Sequence, residues 1–429
     1  MLRLRACRVA LLACGALACS SSAGSKSGTG GAATGGAATG VAGADGGAPG
    51  GGGPGGAPPV FVHPGLLHGD ADFARMKAKV DAGAEPWLSG WQKLTANAHA
   101  QLTWTARPVA MVYRGADGTH PENYAQLFND AAAAYALAVR WKVSGDARYA
   151  DKAAEILDDW AAVLVGIGGT SDKFLAAGLY GYQLANAAEI LRTYEGWPAA
   201  SFARFKAMML AVFYPMSHDF LLHHNGACIS HYWANWDLCN MDAVLAIGVL
   251  VDDRAVYDEA VTYFKTGAGN GAIANAVVTI QPGGLGQWQE SGRDQGHNTL
   301  GIGLMGAFCE MAWKQGDDLY GYDDNRFLAG AEYVAKYNLG EDVPYTTYDN
   351  CDKVNQTVIS PTGRGDVRPI WELVYNHYVN RRHLPAPYSA AYAALVRPEG
   401  GGGDYGPNSG GYDQLGYGTL TATLDPAAP

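Results

Sequence analysis

Basic charge is in short supply in this 429-residue chain. Lys and Arg number 30 against 41 Asp and Glu, a formal balance of −11, and charged residues make up only 17% of the whole. Without a basic excess there is little to displace counterions from phosphates, so bulk nucleic-acid binding is excluded. Cysteine is sparse as well, 7 in all, and three of these (Cys7, Cys14 and Cys19) precede the folded region. The other four, Cys228, Cys239, Cys309 and Cys351, are too few for a disulfide scaffold and lack the paired two-residue spacing of a zinc site. They read either as a Cys228–Cys239 bridge with two thiols or as buried free thiols throughout. Also missing are the G-x-S-x-G nucleophile elbow and the phosphate-binding G-x-x-x-x-G-K-[ST] loop.

Apolar and aromatic residues are abundant. Hydrophobic residues reach 48%, with 11 Trp, 24 Tyr and 11 Phe, which argues for one large core. Glycine is plentiful for another reason: of 58, 16 lie between Gly24 and Gly56 in a stretch of small residues with almost nothing to bury. Residues 1–18 read as a signal peptide, with Arg3, Arg5 and Arg8 ahead of the apolar run Val9–Ala18. That run is too short for a permanent bilayer span. Ala16-Leu17-Ala18-Cys19 resembles a bacterial lipobox, which makes Cys19 the lipidation site and the only expected membrane attachment. Residues 19–59 are then a flexible Gly/Ala/Ser-rich tether. The expected location is outside the cytoplasm: periplasmic or at the cell surface if Cys19 carries a lipid, and secreted otherwise. Without the three signal arginines the balance is 27 against 41, or −14.

Residues 60–424 read as one all-α domain. Helical periodicity recurs over 130–142, 150–164, 180–194, 203–220, 236–251, 257–265, 299–315 and 325–337. Short breaks such as Ser144-Gly145-Asp146 and Val251-Asp252-Asp253 place neighbouring helices antiparallel. Many helix pairs without a visible sequence repeat predict a single α/α toroid, an incomplete barrel of antiparallel helix pairs.

Two segments concentrate polar and aromatic residues just before apolar helices. The first runs from His223 to Asp237 and includes His231, Tyr232, Trp233, Asn235 and Trp236. Its position at a helix N-terminus favours an anion, although Asn235 or Asp237 could simply cap the helix. The second runs from Gln287 to Asn298, with Glu290, Arg293, Asp294 and His297 three or four residues apart, so that they share one face if the helix begins early.

These residue types suit β-elimination from a uronic acid. The proton on C5 is weakly acidic while the adjacent carboxylate keeps its charge, so Asn, His or Arg must neutralise that charge. A base then takes the C5 proton and an acid protonates the departing O4. Asn235, Arg293 and His297 match these needs, and no metal or other cofactor is required. Tyr345 is the candidate tyrosine among several. Trp233, Trp236 and Trp288 are candidates for stacking on sugar rings, with Tyr182, Gln183, Asn186 and Glu290 as further substrate contacts.

Several stretches resemble the alginate lyase superfamily of polysaccharide lyases. They are His63-Pro64-Gly65-Leu66-Leu67, YGYQLANAAEIL from Tyr180, NWDLCNMDAVLAIGVLVDDR from Asn235, QESGRDQGH from Gln289, QGDDLYGYDDNR from Gln315, and RPEGGGGDYGPNSGGYDQLG from Arg397. The resemblance implies a toroidal lyase acting on an anionic β-1,4-linked uronate polymer, alginate (polymannuronate) or glucuronan. It implies Asn235 as the carboxylate neutraliser, Arg293 as its charge partner and His297 as base or carboxylate contact. The best-known alginate lyases carry Asn-Asn-His before a Tyr-Trp pair. Here Cys228-Ile229-Ser230-His231 precedes Tyr232-Trp233, so either His231 replaces that histidine or the asparagine has moved to Asn235. Two other readings stay open: a glycoside hydrolase on the same fold using Asp237, Glu290 and Asp294, and a non-catalytic carbohydrate-binding surface protein.

Overall fold

The computed structural model describes residues 60–400 and 413–426. The expected signal peptide, Cys19 and the tether lie outside the described residues. Chain contacts separate residues 1–57 from 58–429, and all the described elements belong to the second unit.

The elements run in the order α1 (Asp70–Asp81), α2 (Trp87–Ala96), β1 (Met111–Arg114), α3 (Tyr124–Ser144), α4 (Ala147–Val163), β2 (Gly166–Gly169) and α5 (Lys173–Leu191). Next come α6 (Ala199–Met208), α7 (Tyr214–His223), α8 (Ala234–Val251), α9 (Arg254–Thr266), α10 (Ile273–Ala276), β3 (Val277–Ile280) and β4 (Gly286–Trp288). The rest are α11 (Gln295–Lys314), α12 (Tyr322–Asn338), β5 (Tyr348–Asp349), β6 (Asn355–Gln356), α13 (Trp371–Tyr375), α14 (Pro387–Val396) and α15 (Gly418–Thr421). A π turn at Met209–Phe213 joins α6 to α7, and another at Asn376–Arg381 extends α13.

Helix α3 packs on α4 and α5, α5 on α7 and α8, α8 on α9 and α11, α11 on α12 and α13, and α13 on α14. Helices α1, α2 and α15 close the circuit between α13 and α3. This is an all-α toroid with α3, α5, α8, α11 and α13 inside. Short connections such as Asp252-Asp253, between α8 and α9, keep neighbours antiparallel. Two of the outer helices, α4 and α9, start on side-chain caps: Asp146 accepts the Arg148 N–H, and Asp253 accepts those of Ala255 and Val256.

Burial explains why the inner helices look unlike surface helices. Phe174–Leu191 of α5 and Ala234–Leu250 of α8 are buried at every position, so neither has a polar face. Helix α8 is long and apolar enough to cross a bilayer, yet 94% of it is buried inside the fold, which makes it the core helix. Its approach to α5 depends on Gly178, where a Cβ would come within 2.7 Å of the Cys239 backbone. An alanine there would force the two inner helices apart.

All eight stretches expected to be helical are so, most of them in helices longer than the periodic stretch, and the one over 203–220 is divided into α6, a π turn and α7. The cysteine pairing differs from both alternatives, the Cys228–Cys239 bridge and free thiols throughout. Cys228 is bonded to Cys351, 123 residues away, while Cys239 and Cys309 are buried thiols. Cys239 lies on the buried surface of α8 and cannot reach the exposed loop that holds Cys228. The described strands are short and form three two-stranded ribbons, of which β1–β2 is parallel and the other two are antiparallel.

Candidate active site

A cleft of about 330 Å³ opens at the N-terminal ends of α8 and α11. Its polar wall is Arg114, Asn235, Asp294, His297, Arg368 and Asp413, over apolar residues Leu175, Leu179 and Leu300. A smaller hollow of about 50 Å³ lies inside the toroid near His68, Tyr135 and Tyr182, with too little room for a sugar.

Two local devices build the α8–α11 side. The first N–H of α8, from Ala234, donates to Gln289 Oε1 at 3.0 Å, so the segment before α11 caps α8 and neither Asn235 nor Asp237 is needed for it. Asp237 is engaged elsewhere: it accepts from the Gly271 N–H at 2.8 Å and pairs with His224 Nε2 at 2.9 Å, both in the interior. Helix α11 starts on Asp294, whose Oδ1 accepts the His297 N–H at 2.8 Å. The other oxygen of Asp294 lies 2.7 Å from His297 Nδ1. With a carboxylate accepting there, the proton resides on Nδ1 and Nε2 carries the lone pair.

Arg293 ties this dyad to α8. Its Nη1 donates to Glu290 Oε1 at 2.8 Å and to Asn235 Oδ1 at 3.4 Å, and its Nε lies 3.7 Å from Asp294. The Trp233 ring is 5.3 Å from the guanidinium. Burial lifts the Glu290 carboxyl above its ordinary value, with Arg293 and His297 opposing it. Burial also pushes Asp294 upward, but its hydrogen bonds and the charges of His297 and Arg293 hold it below the usual carboxylate value.

Three residues of the cleft escaped the sequence reading. Arg114 stands at the end of β1. Arg368 precedes α13, donates to Gln414 at 2.9 Å and lies 3.7 Å from Asp413. Asp413 is buried, which raises its pKa to about 6 against the pull of Arg368, Arg114 and His297. No spacing links these residues to Asn235 or His297, because closure of the ring brings them together.

Asn235 and His297 line the cleft, with Arg293 bonded to Asn235 behind it, but the structure does not gather all the expected residues there. Tyr345 is held in the loop after α12, where its hydroxyl donates to the Gln356 carbonyl at 2.9 Å; it is not part of the cleft wall. His231 is exposed and bound to Asp352 at 2.6 Å, beside the Cys228–Cys351 bond. Tyr182, Gln183 and Asn186 are buried on α5, with the Tyr182 hydroxyl donating to the Asp413 carbonyl and Asn186 accepting the Leu67 N–H. Such side chains support the wall and cannot grip a polymer. Trp288 is wholly buried against Gly301, and Trp236 packs on Phe220 and Tyr232, so Trp233 alone of the three lies beside the site's charged groups. Glu290 is fully buried under Arg293. With Asp237 and Glu290 both buried and paired, the carboxylates named for hydrolysis do not face one another across the cleft.

The protein-family model described as Alginate lyase matches residues 86–343, more than half of the chain. No curated protein sequence matches. Among solved structures, an alginate lyase from Bacteroides ovatus aligns with a TM-score of 0.58 at 14% identity, covering 85% of this chain and all of that one. Alginate lyase A1-III from Sphingomonas species A1 aligns at 0.54 and 16% identity, covering 85% of this chain and 97% of that one. A variant of A1-III complexed with tetrasaccharide aligns at 0.54 and 15% identity with the same coverage. At these identities the structural likeness speaks for the toroidal fold.

Proposed function

The chain belongs to the alginate lyase family and is a polysaccharide lyase; from that premise we propose that it cleaves a β-1,4-linked polyuronate, polymannuronate or glucuronan, by side-chain-driven β-elimination. The observation that carries this reading is the His297 imidazole, bound to Asp294 through Nδ1 and standing at the cleft wall with Asn235.

The Asn235 amide binds the uronate carboxylate, with the Arg293 guanidinium bonded to that amide and adding its charge, and the two stabilise the enediolate that forms as C5 loses its proton. His297 Nε2 takes that proton, the C5 electron pair forms the C4–C5 double bond, and the C4–O4 bond breaks. The departing O4 then needs a proton. In D-manno and D-gluco uronates the C5 proton and O4 lie on the same face of the ring, so the imidazolium formed in the first step can return its proton to O4. One histidine therefore serves both steps, which fits a cleft wall where His297 is the one imidazole among the described residues.

The direct test is ultraviolet absorbance of the conjugated 4,5-unsaturated product when the enzyme meets each uronan. New reducing ends without that absorbance would indicate hydrolysis, and binding without either would indicate a lectin. Export is part of the proposal: residues 60–424 act outside the cytoplasm, tethered through Cys19. Labelling with a radioactive fatty acid that is lost in Cys19→Ser would support the anchor, and an unlabelled wild-type protein would remove it.

A further inference from the structure

We infer that Arg114 binds the carboxylate of a second uronate, the unit next to the one being cleaved, so that the cleft reads two consecutive charged sugars. This inference rests on the cleft being a uronan site, and it concerns a residue that the elimination itself does not use.

Arg114 differs from the other cations of the site. Arg293 has Glu290 at 2.8 Å, His297 has Asp294 at 2.7 Å and Arg368 has Asp413 at 3.7 Å. Among the described residues no carboxylate lies within 4.0 Å of Arg114; Asp413 and Asp172 act on it only from further away. Its one hydrogen bond there runs from Nη1 to the Tyr180 hydroxyl at 2.9 Å. The guanidinium lies 5.0 Å from the Tyr124 ring and 5.7 Å from the Tyr180 ring. A guanidinium offers five N–H donors, so four remain for a ligand. A guanidinium without a direct ion pair keeps its fork open for a carboxylate, which two parallel N–H donors can bind.

The backbone holds Arg114 firmly in place. It ends β1 in parallel register with Gly169 of β2. Gly115, at φ +84, donates its N–H to Glu122 Oε1 at 2.5 Å, and a Cβ there would overlap Thr170. A Cβ on Gly169 would overlap the Arg114 carbonyl. Such preorganisation suits a residue that meets a ligand rather than one that merely covers a surface.

Position supplies the substrate class. Arg114 rests on residues of α3 and α5, whereas Asn235 and His297 belong to the α8–α11 side of the same cleft, with Arg293 bonded to Asn235. Successive units of a β-1,4-linked chain are turned over relative to one another, so neighbouring carboxylates project to opposite sides. With one carboxylate at Asn235, the next falls toward Arg114. The ligand is therefore a polymer with a carboxylate on every unit, and one that alternates uronate with neutral sugar leaves Arg114 unmatched.

The test compares wild type, Arg114→Ala and Arg114→Lys on polymannuronate, on glucuronan and on polymannuronate whose carboxylates have been partly reduced to alcohols. Arg114→Ala should raise KM on the fully charged polymers ~10- to 100-fold, the range for a hydrogen bond to a charged group, with kcat within a few-fold of wild type. Arg114→Lys, which keeps the charge without the fork, should fall between. The difference between wild type and Arg114→Ala should shrink on the reduced polymer. An unchanged KM in folded Arg114→Ala overturns the inference while leaving the elimination reading intact. Affinity electrophoresis decides even if no uronan is cleaved. Retardation of wild type by polymannuronate but not by a neutral β-glucan, lost in Arg114→Ala, supports the inference. Equal retardation of the two proteins, or none of wild type, overturns it.

Discussion

Asp294 holds His297 at two points, accepting its backbone N–H at 2.8 Å on one oxygen and its Nδ1 at 2.7 Å on the other. The same carboxylate therefore starts α11 and orients the proposed base. Substitution can separate these two roles. His297→Ala should lower kcat by ~10²–10⁴-fold, the usual worth of a positioned proton-transfer group. Asp294→Asn keeps a good cap and removes the charge, so its melting temperature should stay close to wild type while turnover falls. Asp294→Ala should lose ~1 kcal/mol of stability as well. Thermal melts beside rate assays check all three, and near-normal turnover in His297→Ala would end its role as base.

Arg293 should prove doubly sensitive. Glu290 is wholly buried beneath it, so Arg293→Ala strands a buried carboxyl and should destabilise the fold by ~3–5 kcal/mol. Adding Glu290→Gln should restore much of the melting temperature but not the activity. Recovery of turnover in the double variant would show that Arg293 has no part in binding the uronate.

Substrate stereochemistry offers a third check. A single imidazole acting on one face favours D-mannuronate and D-glucuronate, in which the C5 proton and O4 share that face. Polyguluronate, with the two on opposite faces, should be cleaved much more slowly at equal concentration. Equal rates on both polymers would require a second proton-transfer group across the cleft.

The Cys228–Cys351 bond closes a loop of 123 residues and joins the segment before α8 to the β5–β6 hairpin. Breaking it with Cys228→Ser should cost ~2–5 kcal/mol, seen as a lower denaturant midpoint. The His231–Asp352 contact at 2.6 Å links the same two segments but is exposed, so it should compensate little.

The response of stability to pH follows from buried groups of opposite kinds. Burial lifts Glu399 to about 7 and Asp413 to about 6. A lifted acid holds its proton better in the folded state, so its contribution falls as pH rises from the unfolded carboxylate range, ~4, to those values. Burial pushes His68 and His377 down to about 4, with charged neighbours adjusting the result. The unfolded chain protonates these imidazoles below ~6.5, so their contribution falls as pH drops. The two pairs oppose one another between ~4.5 and ~6.5, and the wild-type melting temperature should vary little there. Glu399→Gln removes one of the two lifted acids. It should melt above wild type at pH 8 and lose stability more steeply on acidification; parallel curves for the two proteins would refute this account.

Sequence periodicity revealed the helices of the toroid because even the inner ones are long and bounded by polar turns. It did not reveal which helices lie inside, since α5 and α8 have no polar face to mark a direction. The Asp294–His297 pair was legible because the cap and the imidazole lie three residues apart on one helix start. Arg114, Arg368 and Asp413 were not, because closure of the ring, rather than any local pattern, brings them to one cleft. Buried Tyr182 and Trp288 show the opposite error: polar or aromatic character suggested a surface role, and packing against Asp413 and Gly301 decided otherwise. The cysteines were misjudged for a similar reason, since Cys239 is nearer to Cys228 in sequence but faces the core.

Asn235 stands in the first turn of α8, the helix on which the rest of the core is packed. Drift at that helix would threaten folding itself, whereas Arg114, Arg368 and Asp413 come from a strand end and loops outside it. New polymer preferences should therefore arise in descendants of this scaffold through substitutions at the rim, with the chemistry inherited unaltered from the centre.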